Sequence, residues 1–591
     1  MDGGSVVGIY LKEVRIRNFR SLREINVSLD FTTILVGANN SGKTAFLKAL
    51  EVVFGLENKK VKKEDIYLSG AGNSYPNEAV IDVLIVPVDD HGEVCKEFDN
   101  GWYQHFGASR IQLDDEDNHI LPIRTFVKFD PVRNGFGISQ FVLDKWYANP
   151  EFWNDSITKE QVPSGLMDIL PLVYLDAQRD IVDDLRNPDS FWGRIVADVG
   201  MGLEETVEAE KDLDRMNQMV IDHSPVLSHI HGQLQMLKDI NAGTSNEVVV
   251  SPLPRKVRNL YRGIDVLFKD GISELMPLEQ HGMGTRSWAT LLALRCYISW
   301  LKKVHHDKNT PYHCMLALEE PEAHLHPQAQ RNLLAQISGI GGQKIISTHS
   351  PFIASVSELS SLRHFRKVSA ETVVSSIMTE ALEPEDLRKI EREVMNTRGE
   401  LLFARAIILC EGETEEQALP LWFHEYFGKR TFEMGVNVVG VGGKGKKYLP
   451  FLRVAEGLQI KWFIFSDGEM DTVDELRTAV TEVGYTLPDS NIVTLDTGMK
   501  FETYMLAEYY NEMENLIRDL HLTKAVNDHH KQAIQNKVYS YTDLQDELKG
   551  GKTRFGPIVA HKLIGLPDQA KRIPSKVRTL FEALSHEFDT H

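Results

Sequence analysis

Apolar residues in this chain come in short runs that stop at a glycine or an acid and then give way to helical spacing. Ile34–Val36 runs into Gly37, Met315–Leu318 into Glu319, Ala406–Cys410 into Glu411, and Trp462–Phe465 into Ser466 and Asp467. Runs of this kind, bounded by turn residues, read as strands buried on both faces. Buried strands alternating with helices predict parallel sheets, so the fold class is α/β. Two such blocks are expected, one ending near residue 375 and one beginning near 405. Between them "SSIMTEALEPEDLRKIEREVMNTRGELLFAR" reads as charged connecting helices. Inside the first block, residues 181–250 are helical and charged, and "HSPVLS" breaks them. That stretch is too short for a long coiled-coil arm. It reads as a helical dimerisation element, with a plain solvated hairpin as the alternative.

The first run opens "ILVGANNSGKTAFLKALEVVF": strand, glycine-rich loop, helix. This is the phosphate-loop pattern GxxxxGK[ST] in its required context. Gly37, Asn39, Asn40, Ser41 and Gly42 would turn backbone N–H groups toward the phosphates of ATP, helped by the positive end of the helix. Lys43 would reach the β and γ phosphates, and Thr44 would ligate Mg²⁺. Such a loop needs a distant acidic strand end, and "CMLALEEPEAHLHP" supplies one. Glu319 would orient the Mg²⁺ through water, and Glu320 would polarise the attacking water. The strand of "KIISTHSP" is expected to end on His349, a candidate sensor of the γ-phosphate.

These motifs resemble the ABC-type ATPases of the SMC/RecF class. The opening "YLKEVRIRNFRSLREINVSL" is similar to that class's N-terminal strands, and "EEPEAHLHP" to its Walker B and D-loop. The resemblance implies a signature loop, matched by "EQHGMGTRSW". There Gly282, Gly284, Thr285 and Arg286 would serve the nucleotide held by another ATPase head. It also implies a lobe-coupling glutamine, Gln178 in "VYLDAQRD". Two departures stand out: the Walker B acid is Glu rather than Asp, and the signature lacks the LSGG(Q/E) form.

In the second block four pieces follow in order. "AIILCEGETEE" places Glu411 and Glu415 four residues apart at a strand-to-helix junction, where a helix would bring them close. "VNVVGVGGKGKKYLPFLRVAEGL" reads as strand, basic glycine-rich turn and helix. "KWFIFSDGEMD" puts Asp467, Glu469 and Asp471 beyond a strand, and "DTGMKFETYM" presents Glu502 after another. Ligands of open α/β sheets bind beyond the strand carboxyl ends. Acids gathered there without bases at the same spots would repel one another unless divalent cations joined them. Glu413, Glu416 and Asp471 are read as surface acids. The set resembles the Toprim domain, a strand-end Glu followed by a strand-end DxD, here with Glu469 in place of the last Asp. The resemblance implies that "GGKTRFGPIVAHKL" is the K-x-R-F segment of one Toprim lineage, with Lys552 as catalytic base or charge stabiliser.

An ABC ATPase followed by Toprim resembles the OLD (overcoming lysogenisation defect) family, with Gabija-type nucleases and retron-associated effectors of the same architecture. On that reading residues 1–180 and 251–375 form the ATPase, 181–250 its helical insertion, 376–404 linker helices and 405–591 the Toprim domain. The resemblance implies ATP-regulated, Mg²⁺- or Mn²⁺-dependent DNA cleavage in bacterial anti-phage defence. Glu411, Glu415, Asp467, Glu469 and Glu502 would hold two ions. The implied partners are DNA, further copies of the chain in a dimer or tetramer, and a helicase or a retron RNA–DNA hybrid. Two other readings stay open. A topoisomerase would need a separate breakage domain, for which the stretch after "SDGEMD" leaves little room. A non-catalytic SMC/RecF-like DNA-binding repair ATPase would carry a degenerate Toprim domain.

Composition adjusts this picture only at the edges. Of 591 residues, 42% are hydrophobic, enough for a sizeable core and three or four domain-sized units. Four dispersed cysteines without a CxxC pair argue against a zinc site or disulfide framework and fit a reducing cytosol. No signal-peptide pattern or long apolar run is present, so a cytoplasmic chain without a membrane partner is expected. A net charge of −20 opposes nucleic-acid binding in bulk. "PRKVRNLYRG" and "GGKGKKY" are local exceptions.

Overall fold

The structure is a computed structural model that describes residues 8–55, 61–66, 78–89, 92–130, 132, 135–176, 202–225, 227–228, 253, 257, 267–268, 276–277, 283–323, 325–368, 371–487, 489–550 and 552–589. The first block begins with β1 (Gly8–Phe19), β2 (Leu22–Ser28), β3 (Thr32–Val36), α1 (Lys43–Phe54), β4 (Glu78–Val88), β5 (His119–Asp130), β6 (Gly135–Leu143), β7 (Thr158–Gln161) and β8 (Leu172–Leu175). It continues through α2 (Leu203–His223), α3 (Met283–Asp307), β9 (Met315–Glu319), α4 (Pro327–Ser338), β10 (Gln343–Ser347), α5 (Pro351–Ser355), β11 (Leu362–Val368) and β12 (Glu371–Ser375). An antiparallel sheet in the order β2-β1-β4-β5-β6-β7 packs against a second sheet in the order β12-β11-β3-β10-β9-β8. The second sheet is parallel except for β12.

Strand alternation assigns the apolar residues of the second sheet to two faces. Leu35, Ala317 and Ile345 join Phe46 and Leu50 of α1 and the antiparallel sheet in one core. Ile34, Val36, Leu316, Leu318 and Ile346 look the other way, into a second core. That second core does not stop at the end of the block. It continues through Ile390, Val394, Leu401 and Leu402 into Ile407, Leu409, Val439 and Trp462 of the C-terminal sheet. The charged connector is therefore a packed joint. It comprises α6 (Pro384–Ile390), a π-helical turn at Glu391–Met395 and a 3₁₀ turn at Gly399–Phe403. Glu385, Glu391, Arg392 and Glu400 are exposed, Asp386 pairs with Arg453, and the apolar residues between them fill the seam.

The C-terminal block runs β13 (Ala406–Cys410), α7 (Glu413–Phe427), β14 (Val436–Gly440), α8 (Leu449–Gly457), β15 (Lys461–Ser466), α9 (Met470–Glu482) and β16 (Ile492–Thr494). After these come α10 (Phe501–Thr523), α11 (Lys552–Ile564) and α12 (Ser575–Asp589). Its sheet is parallel, in the order β14-β13-β15-β16. The expected helical insertion is described only over α2 and a few residues beyond it; the rest of 181–250 lies outside the described residues. No helix among the described residues is long and apolar enough to cross a membrane.

Candidate functional site

Two clusters of polar residues sit at strand carboxyl ends. In the first, β3 leads into the loop 37–42 and α1 begins at Lys43. Gly37 has φ +139°, and a Cβ there would lie 2.0 Å from the Phe365 carbonyl oxygen, so only glycine fits. Lys43 is folded back into its own loop, its Nζ donating to the carbonyls of Gly37 and Ala38 at 2.9 Å each. Burial pushes its ammonium down to about 8, against the opposing pull of Glu320, Glu319 and Glu322. Thr44 Oγ1 and the Tyr174 hydroxyl both donate to the Glu319 carboxylate, bringing α1, β8 and β9 together. Glu320 adopts a left-handed φ of +43° and faces His349, whose Nε2 is 3.5 Å from Glu320 Oε1. Burial, and then Lys43, push the His349 ring down to about 4, so it is neutral at pH 7. Contrary to expectation, His349 is not the last residue of its strand. β10 ends at Ser347, and His349 lies two residues on, in the loop before α5. This arrangement suits ATP: a glycine-rich loop at a helix N-terminus, a lysine held against that loop, and a hydroxyl beside an acid that together would hold Mg²⁺.

The expected signature loop is a helix from Met283 onward, with Gly284 in its first turn. Gly282 and Gln178 lie outside the described residues, as do the side chains of Thr285 and Arg286.

The second cluster lies at the ends of β13 and β15, the two central strands of the C-terminal sheet. Glu411 Oε1 accepts from Ser466 Oγ at 2.8 Å and from the Asp467 N–H at 3.0 Å, which ties the two strand ends together. Asp467 Oδ1 accepts from the Phe501 N–H at 3.0 Å. Gly468 permits this crossing, since a Cβ there would meet the Asp496 carbonyl oxygen at 2.2 Å. Glu415, in the first turn of α7, and Glu502 are both buried. Glu502 does not directly follow a strand: it is the second residue of α10, which begins after the β16 loop. Burial first, then the charges of Glu411, Glu415 and Glu502, push the Asp467 carboxyl up to about 8. Burial also raises Glu411.

Bases do stand at this rim, against expectation. Lys500 Nζ is 3.1 Å from Glu469, and Lys444 Nζ is 3.6 Å from Asp471. Glu469 thus has a lysine partner, while its charge still acts on Glu411. Glu413 and Asp471 are exposed, while Glu416 pairs with Arg398 at 3.0 Å. Lys552 starts α11; its side chain lies outside the described residues. Four residues on, Gly556 packs against the Thr414 carbonyl, 2.4 Å from where its Cβ would be. That contact brings the start of α11 near the first turn of α7.

The inner donors are all carboxylate oxygens, the set that Mg²⁺ and Mn²⁺ prefer. Their mutual repulsion at Asp467 fits a cation-binding role. Among the described residues no three His, Cys, Asp or Glu side chains are already close enough to enclose an ion. Glu411, Glu415 and Glu502 are the acids whose charges meet at Asp467. Sequence reasoning missed Tyr174, Ser466 and Glu322. Only Ser466 left a signal, as the polar residue that ends an apolar strand just before Asp467.

Residues 10–102 and 166–354 match the family described as AAA ATPase domain, and 402–468 match the Overcoming lysogenization defect protein-like, TOPRIM domain. The chain is 25% identical to an OLD nuclease of Thermus scotoductus, over 79% of this chain and 83% of that protein. It is 20% identical to Endonuclease GajA of Bacillus cereus, over 98% of this chain and 94% of the relative. Among solved structures, the C-terminal region of the Burkholderia pseudomallei OLD protein matches with 20% identity and a TM-score of 0.25, covering 31% of this chain and 98% of that one. The chain thus carries an AAA ATPase domain followed by an OLD-like Toprim domain, and it is similar over most of its length to proteins named OLD nuclease and Endonuclease GajA.

Proposed function

We propose that the chain is a DNA endonuclease, dependent on divalent metal and regulated by ATP, that serves in bacterial anti-phage defence. The observation that carries this reading is the convergence of Glu411, Glu415 and Glu502 on Asp467 at two central strand ends. Bound there, two divalent ions would supply an activated hydroxide and neutralise the leaving oxygen. Ser466 and the Asp467 N–H hold Glu411 in place, and the Phe501 N–H orients Asp467. Lys444, Lys500 and the exposed Lys446 would follow the phosphate backbone of DNA. Lys552 would offset charge building on the scissile phosphate. In the first site, Glu320 would polarise the water that attacks ATP, Lys43 would swing from its loop carbonyls to the phosphates, and Gly284 would present helix N–H groups to nucleotide on a second copy.

Supercoiled plasmid incubated with Mg²⁺ or Mn²⁺, with and without ATP, tests the reading. Nicking or linearisation by the wild type, lost in Glu411→Ala, supports it. Cleavage that survives Glu411→Ala places the chemistry elsewhere. The pairing of Glu469 with Lys500 favours a second reading, a DNA-binding repair ATPase without cleavage. Metal-independent DNA binding with no cut product under any condition would select it.

A further inference from the structure

A short route of direct contacts joins the two clusters within one chain. It begins at Glu322, a buried acid two residues beyond Glu320. One of its oxygens, Oε1, accepts from Thr348 Oγ1 at 2.6 Å, the His349 N–H at 2.9 Å and the Ser350 N–H at 3.2 Å. Its other oxygen is buried with no hydrogen-bond partner among the described residues. Three donors on one oxygen tie the loop after β10 to Glu322. Ser350 caps α5 through the N–H groups of Phe352 and Ile353, and donates its own hydroxyl to Gln330 of α4 at 2.6 Å.

From there the route enters the connector. A Cβ on Gly399 would come 2.7 Å from the Pro351 carbonyl oxygen and 3.0 Å from Ser355 Cβ, so the two backbones touch there. The rings of His349 and Phe403 are 6.5 Å apart between centroids. On its far side the connector holds the C-terminal block. Arg398 pairs with Glu416, which neighbours Glu415 on α7. Phe403 is three residues from β13, the strand that ends beside Glu411. Leu401 and Leu402 are buried in the shared core, so the segment has no room to slide independently. Just upstream, the π-turn at Glu391–Met395 is an irregular turn of a kind often found where helices serve a function.

We propose that the unit Thr348–Ser355, clamped by Glu322, transmits the nucleotide state of the first site to Glu411 and Glu415 through Gly399–Phe403. A nucleotide phosphate that engages His349 moves this unit. Because α5 and Gly399 are in backbone contact, the displacement passes to the strand and helix that carry the two acids. What the output controls rests on the nuclease reading; the route does not.

Hydrogen–deuterium exchange on the full chain tests the route, with and without a non-hydrolysable ATP analogue and Mg²⁺. Peptides covering 37–50 report nucleotide binding, and those covering 406–418 report the output. In the wild type both should change. In Gly399→Ala and Phe403→Leu, the change at 37–50 should persist while that at 406–418 falls by at least half. In parallel, the response of plasmid cleavage to ATP should shrink to within twofold of none. The route is overturned if 406–418 stays silent in the wild type while 37–50 responds, or if it responds equally in all three proteins. An intact exchange response in a wild type that cuts no DNA supports the route and sinks the nuclease reading alone.

Discussion

Asp467 occupies an unfavourable position until a cation arrives. Half-buried and ringed by three other acids, it holds its proton near neutral pH. Asp467→Asn removes a carboxyl that must take up a proton on folding at neutral pH, so in EDTA the variant should melt at a higher temperature than the wild type. The same change should abolish the rise in melting temperature that Mg²⁺ produces and lower cleavage by at least ~100-fold. A variant that melts lower in EDTA and still responds to Mg²⁺ would contradict this. His364 makes a separate prediction. Its ring is buried, pushed down to about 4, and its Nδ1 donates to the Leu458 carbonyl at 2.9 Å, joining β11 to the C-terminal block. The unfolded ring titrates near ~6.5. Between that value and about 4 the unfolded chain binds the extra proton, so the histidine's share of stability is lost as pH falls through this window. Denaturant titrations at pH 7 and pH 5 should show a smaller loss on acidification in His364→Gln, by on the order of 1–2 kcal/mol.

At the scale of elements, Glu322 and its loop are worth more than one side chain. Glu322→Ala leaves the Thr348 hydroxyl and the His349 N–H without their acceptor, while the Ser350 N–H keeps only Thr348 Oγ1. The expected cost is about 2–4 kcal/mol in chemical denaturation, with ATP turnover reduced at least tenfold because His349 is no longer held against Glu320. A stability loss below about 0.5 kcal/mol would show that the loop holds itself. Why Glu322 was invisible in the sequence is instructive. The buried strands and the phosphate loop carry their own local pattern, so β3, β9, β13 and β15 and the acids at their ends were legible from residue order. Glu322, Tyr174 and Ser466 act across 26, 145 and 55 positions of chain, and no local periodicity encodes such pairings. The packing of the connector was not legible for a related reason: the segment reads as charged connecting helices, and a few spaced apolar residues, Ile390, Val394 and Leu401 among them, bury it in the shared core. The Lys500 partner of Glu469 was not legible either, because only tertiary structure brings the two together.

At the scale of the whole molecule, one apolar core runs from the first parallel sheet through the connector into the second. A C-terminal fragment beginning at residue 384 should therefore melt at least ~5 °C above one beginning at 405, because Ile390, Val394, Met395, Leu401 and Leu402 cover the exposed side of its sheet. Equal melting temperatures would mean that the seam adds no stability. The order β12-β11-β3-β10-β9-β8 also governs the molecule's synthesis. β3 emerges early, yet both of its neighbours, β10 and β11, are encoded about 300 residues later. At translation rates of roughly 5–20 residues per second, that is a wait of about 15–60 s with two open strand edges and an uncovered apolar helix. Ribosome-bound chains halted before residue 343 should be cut by protease within 32–54, where the finished protein is resistant. The phosphate loop, first of the functional parts to be made, would be among the last to take shape, and newly made chains would depend on a holding chaperone in the interval.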